Sequence, residues 1–196
     1  MQAYRHDLIA GHPVLDFLNS VNDWTSDSPR EYLTDLGQAI AFGVATRLIT
    51  RAEGQALHRR SSERTLDELR ALRALLERVF RAQTGGGDVG SADLAALAGE
   101  GAAAAAAASL QQRRGRLVRR IEVARGGGAT LRWRLTDAAI SLLMSTRIDR
   151  LKDCPSCGWF FLDETKNRSR RWCSMSTCGS SAKSRAYYER SRGRRP

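Results

Sequence analysis

The sequence of 196 residues lacks the features of membrane and exported proteins. It contains no run of about 18 apolar residues that could cross a bilayer. Its first residues do not show a charged segment followed by an apolar one, so we expect neither export nor membrane binding, and we expect a cytoplasmic protein. Hydrophobic residues make up 42% of the chain, which excludes a disordered protein. The length of the chain predicts one domain, or one domain with a small module.

Sequence motifs of enzyme active sites are also missing. There is no glycine-rich phosphate loop, no HExxH and no GxSxG. The three histidines, His6, His12 and His58, are scattered and far in sequence from the cysteines. No arrangement of carboxylates indicates acid–base chemistry. We therefore expect that the protein is not an enzyme.

Acidic residues are scarce in the last quarter of the chain. Residues 150–196 hold 12 Lys and Arg against 4 Asp and Glu, a net charge of +8, whereas residues 1–149 hold 20 against 17, a net charge of +3. The capacity to bind a polyanion therefore lies in the last quarter.

Cysteine is absent outside one stretch of 25 residues, and that stretch holds all four. Cys154 and Cys157 form a CxxC pair, and Cys173 and Cys178 form a CxxxxC pair fifteen residues later. This spacing is close to that of four-cysteine zinc sites, in which each pair brings two sulfurs to one ion. Four thiolates leave no open coordination position, so we expect one structural Zn²⁺. The alternatives are a redox CxxC, whose usual βαβ context is missing, and four unrelated thiols.

The residues around the cysteines predict a small module with a basic surface. A segment of about 40 residues rarely folds without a stabilising metal ion or disulfide. We expect its miniature core to be formed by Trp159, Phe160, Phe161 and Trp172. The candidate nucleic-acid contacts lie between and after the cysteine pairs: Lys166, Arg168, Arg170, Arg171, Lys183, Arg185 and Arg190. A helix over residues 182–192 could contact phosphates or enter a groove. The alternative is a solvated basic tail with no partner.

The first 83 residues predict a helical domain, because apolar residues recur at helical spacing. The predicted helices are one that begins at Pro13 and places Val14, Leu15, Leu18 and Val21 on one face, one over residues 31–48, a short one capped by Thr50, and one over residues 63–83. The last has a continuous apolar stripe and is followed by glycines 85–87, which end it.

The segment after these glycines differs from the first 83 residues in composition and in the spacing of its apolar residues. Ser91 is predicted to cap an alanine-rich helix, which we expect outside the core or against another protomer because its side chains are small. Residues 116–124 and 130–135 alternate apolar and polar side chains, and glycines 126–128 separate them. We therefore expect a β-hairpin here, and then a helix over residues 137–150.

Two polar residues lie within the otherwise apolar first helix. Asp16 and Asn19 are three residues apart and so share a helical face. Polar groups that point into a helical core could line a pocket for a small-molecule effector. The alternative is structural: Asp16 caps or charges the first turn, and Asn19 makes a satisfied internal hydrogen bond.

The segment CPSCGWFFLDETKNRSRRWCSMSTCG, followed by Lys183, Arg185 and Tyr187, closely resembles the C-terminal zinc finger of the CGNR family. The segment HPVLDFLNSV resembles the Leu-Asp-Phe-x-Asn-Thr opening of the ABATE domain, which precedes that finger. The resemblance implies a bacterial, stress-induced transcriptional regulator with a largely helical N-terminal domain and a DNA-binding finger. Ser180 and Ser181 stand where the family has Asn-Arg. Serine can cap the following helix, whereas the lost arginine removes one guanidinium that could hold a phosphate or a base edge.

We therefore predict a mainly α protein with one small β-hairpin. A helical, ABATE-like domain is expected over residues 1–150, with the hairpin near 116–135, and a zinc finger with a basic C-terminal helix over 151–196. The predicted function is a zinc-dependent transcriptional regulator that binds duplex DNA, with a helical domain that senses a small molecule or forms a homodimer. The alternative is a protein-interaction adaptor whose finger is purely structural.

Overall fold

The computed structural model of the chain describes residues 3–192. Within this range the protein is mainly α-helical, with two small antiparallel sheets, which confirms the predicted fold class. The predicted finger extends to residue 196, and its last four residues lie outside the described range. Among the described residues, none of the helices combines the length and apolar character needed to cross a membrane.

The elements follow one another in a simple order. The helices are α1 (Pro13–Leu18), α2 (Leu36–Ala45), α3 (Arg51–His58), α4 (Glu63–Gly85), α5 (Ser91–Ala107), the short α6 (Val123–Gly126), α7 (Thr130–Leu143) and α8 (Ser180–Arg192). The strands are β1 (Ala108–Arg113), β2 (Arg116–Ile121), β3 (Leu151–Asp153) and β4 (Phe160–Leu162). A 3₁₀ turn over Thr146–Arg150 leads from α7 to β3, and a π-helical turn over Met175–Gly179 leads into α8.

The short helix α1 lies at the centre of the hydrophobic core. Four of its six residues, Val14, Leu15, Phe17 and Leu18, are fully buried. It packs against α4, α7 and β4, so apolar residues surround it on all sides. A helix that is apolar all round belongs in a core, which explains why this segment tolerates so few polar side chains.

Two predicted helices agree closely with the structure because the sequence contains the residues that cap their ends. Thr50 forms a capping box with Glu53 at the start of α3. Helix α4 buries the predicted apolar stripe: Leu66, Leu69, Leu72, Leu76, Val79 and Phe80. Gly86 ends α4 in the left-handed conformation, with φ of 66°, which glycine adopts without a steric penalty.

Other helix boundaries differ from the prediction. Helix α1 stops at Leu18, and Val21 forms an isolated β-bridge with Glu31. The predicted helix over residues 31–48 begins only at Leu36, because Asp35 accepts a hydrogen bond from the backbone N–H of Gln38 and caps it. Glu31 is instead held by the buried Arg73. The predicted helix over residues 137–150 is α7, which begins earlier, at Thr130, and ends at Leu143.

The β-hairpin lies elsewhere than predicted. Residues 116–121 do form a strand, β2, but its antiparallel partner is β1, with Ala108 opposite Ile121 and Arg113 opposite Arg116. Residues 130–135 belong to α7, because Leu131 and Leu135 are four apart and both face the core. A spacing of two along Leu131, Trp133 and Leu135 was therefore a misleading signal.

Helix α5 was predicted outside the core or against another protomer. Most of it is exposed, but one side packs on α7 of the same chain. At Gly101 an added Cβ would lie 2.7 Å from Cδ1 of Ile140, so a larger residue here would require the Ile140 side chain to move. Gly90 occupies the N-cap position, and Ser91 is the first helical residue.

Strand β4 joins the cysteine segment to the helical core. Phe160 and Leu162 are buried in the same hydrophobic cluster as the helices, while Phe161, on the opposite face, packs with the cysteines. The predicted miniature core is therefore divided, and only Trp159, Phe161 and Trp172 remain in it. The cysteine segment is built onto the core of the helices.

The side chain of Asn19 holds β4 in place. Its Nδ2 donates to the carbonyl of Phe160 at 2.8 Å, and its Oδ1 accepts from the Phe160 N–H at 2.9 Å. Asn19 is only 3% exposed. It thus pairs with the strand as a neighbouring strand would, and satisfies two buried backbone groups.

We expect Asn19→Ala to lower the free energy of unfolding by about 2 kcal/mol or more, because a buried N–H and a buried C=O would lose their partners. Urea denaturation of the zinc-loaded protein measures this. The matched control is Asn167→Ala at an exposed position, expected to change stability by less than about 0.5 kcal/mol. Equal stability of the two variants would contradict the role given to Asn19.

Candidate zinc centre and nucleic-acid interface

The four cysteines converge, as their spacing predicted. One sulfur from each of Cys154, Cys157, Cys173 and Cys178 lies within 4.8 Å of all the others. The sulfur of Cys157 is 3.6 Å from those of Cys173 and Cys178, and the latter two are 3.7 Å apart. No two of them are joined in a disulfide.

This arrangement fits a zinc ion. Four Zn–S bonds of about 2.3 Å at tetrahedral angles place the sulfurs about 3.8 Å apart, close to the separations found here. Cys154, Cys157 and Cys173 are buried and Cys178 is half-buried, so the site is largely closed to solvent. The cysteines form a site able to bind one zinc ion, and four protein ligands make it a structural site.

The electrostatics of the cluster also favour a bound cation. The Cys173 thiol hydrogen-bonds to the Cys157 sulfur and lowers the pKa of Cys157 to about 6. The same hydrogen bond raises the pKa of Cys173, and burial raises that of Cys178 to about 11. Without a metal, one thiolate would therefore stand among thiols. Four thiolates can coexist at these distances only around a cation such as Zn²⁺.

The first cysteine pair is shaped by its own backbone and by the loop after α1. Gly158 has a φ of 69° and its N–H donates to the carbonyl of Cys154 at 2.8 Å. A Cβ added at Gly158 would lie 2.9 Å from Cβ of Trp24, and the Trp24 N–H donates to the carbonyl of Cys157 at 2.9 Å. Contact with Trp24 therefore helps to form the turn that carries Cys157.

The second pair is carried by the π-helical turn before α8. Ser174 caps this turn, since its hydroxyl accepts from the Thr177 N–H. Ser180, predicted as a helix cap, instead donates through its hydroxyl to the carbonyl of Met175 at 3.1 Å. The reason is that α8 continues directly from the π-helical turn, so Ser180 does not occupy an N-cap position.

Asp163 organises the loop that connects the two pairs. It is fully buried and accepts hydrogen bonds from Nζ of Lys152 at 2.7 Å, from the Thr165 hydroxyl at 2.6 Å and from the Arg170 N–H at 2.8 Å. A buried carboxylate needs such partners. No role was predicted for Asp163, although an Asp two residues before a Thr is typical of a side-chain-stabilised turn.

Arg170 was predicted to contact nucleic acid, and the structure uses it inside the finger. Its guanidinium donates to the carbonyl of Trp172 at 3.0 Å and to that of Cys173. It also lies 4.7 Å from the ring centroid of Phe161. The half-buried Arg170 therefore binds the backbone beside a zinc ligand, and these contacts favour a structural role for it.

Three of the predicted contacts line a single surface groove of about 380 Å³. Arg171 lies before Cys173, with its guanidinium 5.2 Å from the ring centroid of Trp172. Lys183 and Arg185 come from α8, and Arg185 donates to the hydroxyl of Ser156 at 3.0 Å. All three cations are exposed. We call this surface, lined by Pro155, Ser156, Arg171, Trp172, Ala182, Lys183 and Arg185, the basic groove.

The remaining predicted contacts lie apart from the lining of the basic groove. Lys166 and Arg168 are exposed in the loop after Asp163, and Arg168 donates to the carbonyl of Asp149 at 3.3 Å. The backbone of Arg190 lies in α8, but its side chain is outside the described part of the structure.

The predicted pocket residues are both engaged in internal hydrogen bonds. Oδ1 of Asp16 accepts from the Ala10 N–H at 3.0 Å, and Asn19 is paired with Phe160 as described above. This favours the structural alternative for Asn19. Burial raises the pKa of Asp16 to about 6, against the opposing effect of hydrogen bonds from backbone N–H groups.

Comparison with protein-family models gives two consecutive matches. Residues 11–146 match the ABATE model, whose description is "Putative stress-induced transcription regulator". Residues 150–191 match the model of the CGNR zinc finger. No curated protein matched the chain. The first match covers more than half of the chain, and both families were predicted in this order.

Removal of zinc from the full chain is expected to destabilise both segments together, because Phe160 and Leu162 share the core of the helices. Starting from free zinc at a thousandfold excess over Kd, chelation should lower the free energy of unfolding by about 4 kcal/mol. Circular dichroism and tryptophan fluorescence during urea denaturation should report one transition. Cys173→Ser should abolish the response to zinc, whereas Thr177→Ala should retain it. Two separate transitions would contradict the shared core.

The raised pKa of Asp16 predicts a pH-dependent stability. The folded state holds the proton more tightly than the unfolded state, whose pKa is near 3.9, so the contribution of Asp16 to stability should fall as pH rises from about 4 to about 6. Asp16→Asn removes this effect and should exceed wild type in unfolding free energy by a margin that grows to about 3 kcal/mol at pH 7. Urea midpoints of both zinc-loaded proteins measure it, with Asp27→Asn as a control for charge. Parallel profiles for Asp16→Asn and wild type would contradict the prediction.

Proposed function

Because the chain belongs to the ABATE family and carries a CGNR zinc finger after the ABATE domain, we propose that it is a zinc-dependent transcriptional regulator that binds duplex DNA through the basic groove. In this proposal the protein acts by binding and carries out no catalysis. The helical domain supplies the platform that positions the finger and the site at which a small molecule or a second protomer alters DNA binding.

The observation that carries the proposal is the concentration of cations in the basic groove. Arg171, Lys183 and Arg185 line it, and none of the lining side chains in the described part of the chain is acidic. None of the three forms an ion pair with another described residue, so their charge is available to phosphates. Arginine also matches phosphate and guanine edges with two parallel hydrogen bonds.

The metal would determine the shape of this groove. Pro155 and Ser156 lie between the first two cysteines, Arg171 and Trp172 directly precede the third, and α8 follows the fourth. Each wall therefore starts or ends at a zinc ligand. Loss of the ion would release the three walls from one another, which is why DNA binding is proposed to depend on zinc.

The finger lacks one arginine of the family motif, because Ser180 and Ser181 stand where that motif has Asn-Arg. Three cations in the groove still suffice for a phosphate-dominated contact. We therefore propose that the finger contributes affinity through the backbone of the duplex, with Lys166 and Arg168 as further contacts on the neighbouring loop.

Binding to a mixed-sequence duplex should fall steeply with salt, since each phosphate contact contributes a slope of about −0.9 in log affinity against log salt. The double variant Arg171→Ala/Lys183→Ala should flatten this slope by about 2. Fluorescence anisotropy of the labelled duplex, titrated with zinc-loaded protein at several salt concentrations, measures both.

The matched control is Arg5→Ala/Arg59→Ala, which removes the same charge from exposed positions of the helical domain and should leave the slope nearly unchanged. Arg170→Ala is expected to lower thermal stability instead, because its contacts are internal. Absence of binding by the wild type at low salt would overturn the proposal and favour an adaptor with a purely structural finger.

A further inference from the structure

A second positively charged cavity lies in the helical domain, and all the residues that line it fall between positions 47 and 134. It has a volume of about 310 Å³ and is enclosed by the turn between α2 and α3, the hairpin of β1 and β2, and the side of α7. The CGNR finger contributes nothing to it. We call it the arginine pocket.

The arginine pocket has more positive charge than its own acids neutralise. Five arginines line it: Arg47, Arg113, Arg119, Arg120 and Arg134. Glu53 pairs with both Arg120 and Arg134, at 3.0 and 2.7 Å, and Asp137 pairs with Arg119. Five guanidinium groups thus face two carboxylates, an excess of three positive charges.

Two of these arginines are free to take a ligand. Among the described residues, neither Arg47 nor Arg113 has an ion pair or a side-chain hydrogen bond, and both are exposed. Val118 is an apolar part of the wall. A ligand that fits must therefore bring negative charge and tolerate an apolar contact.

The wall of the pocket is held in place before any ligand arrives. Arg134 donates to the carbonyl of Leu48 at 2.8 Å and to that of Ile121 at 2.9 Å, in addition to its pair with Glu53. Its hydrogen bond to Glu53 lowers the pKa of that carboxyl to about 2, so Glu53 stays ionised. Arg47 and Arg113 therefore line a cavity whose other arginines are already fixed by ion pairs.

The backbone of Arg47 has a left-handed conformation, with a φ of 61°. Arg47 directly follows Thr46, the C-cap of α2, and helices commonly end in a left-handed residue at this position. Glycine is the usual residue there, so in this chain the end of α2 places a cation among the residues that line the cavity.

From these observations we propose that the arginine pocket binds a phosphorylated small molecule, with Arg47 and Arg113 as its direct phosphate ligands. The planar guanidinium fork matches phosphate oxygens, and the cavity is of the size of small-ligand sites. A role as the effector site rests on the proposed regulator function, whereas binding of the anion itself does not.

The test uses pyrophosphate as the probe and isothermal titration calorimetry of the zinc-loaded full chain, in chloride of matched ionic strength. Wild type should bind, and Arg47→Gln/Arg113→Gln should bind about tenfold more weakly or worse, since each lost charge-assisted hydrogen bond is costly. Both arginines lack partners, so the variant should fold normally, which thermal unfolding checks. Arg59→Gln, an exposed arginine outside the pocket, should bind as wild type does.

A DNA titration distinguishes whether the pocket binds the phosphate of a small molecule or the phosphates of the DNA backbone. If the pocket variant loses DNA affinity while wild type does not bind pyrophosphate, the arginines contact the DNA backbone and the small-molecule proposal is overturned. Equal pyrophosphate binding by wild type and the pocket variant would overturn it as well. Should the chain bind pyrophosphate through this pocket yet bind no DNA, the pocket proposal stands and the proposed regulator function fails.

Discussion

The pairing of Asn19 with the backbone of Phe160 is the interaction on which the rest of the molecule depends. It ties the most buried helix of the chain to a strand 141 positions away in sequence. A polar side chain in this place would be costly if it lacked partners. Here it substitutes for a missing strand, and so lets β4 enter an all-helical core without leaving its amide groups unsatisfied.

This junction makes the metal centre part of the core. The carbonyl of Val21 accepts from the indole of Trp159 at 2.6 Å, and Arg81 on α4 donates to the carbonyl of Gly158 at 3.0 Å. A zinc ion held by the four cysteines would organise the far side of the same segment. The basic groove would then be positioned from two sides, by the ion on one and by the helices on the other.

The features that could be predicted from the sequence are those determined by residues close to one another in the chain. Cysteine spacing is a direct consequence of how two turns meet one ion, and α3 and α4 carry their own caps and stripe. The hairpin could not be located, because β1 begins inside the alanine run and the alternation at residues 130–135 fits a helix as well.

The role of individual arginines was harder to predict for a related reason. Arg170 and Arg171 are adjacent and identical in type, yet the first binds carbonyl groups inside the finger and the second faces the basic groove. The charge pattern of the sequence shows that a segment is basic, but it does not show which backbone carbonyl each arginine can reach. Asn19 was open to two interpretations for the same reason, until its partner 141 positions away was known.

The alternation of β4 places a constraint on the length of the chain around it. Phe160 and Leu162 face the helical core and Phe161 faces the cysteines. One residue inserted or removed between Cys157 and Phe160 would exchange these faces, sending a core side chain toward the metal and the metal-facing one into the helices. The short span that links the first cysteine pair to the strand is therefore fixed in length.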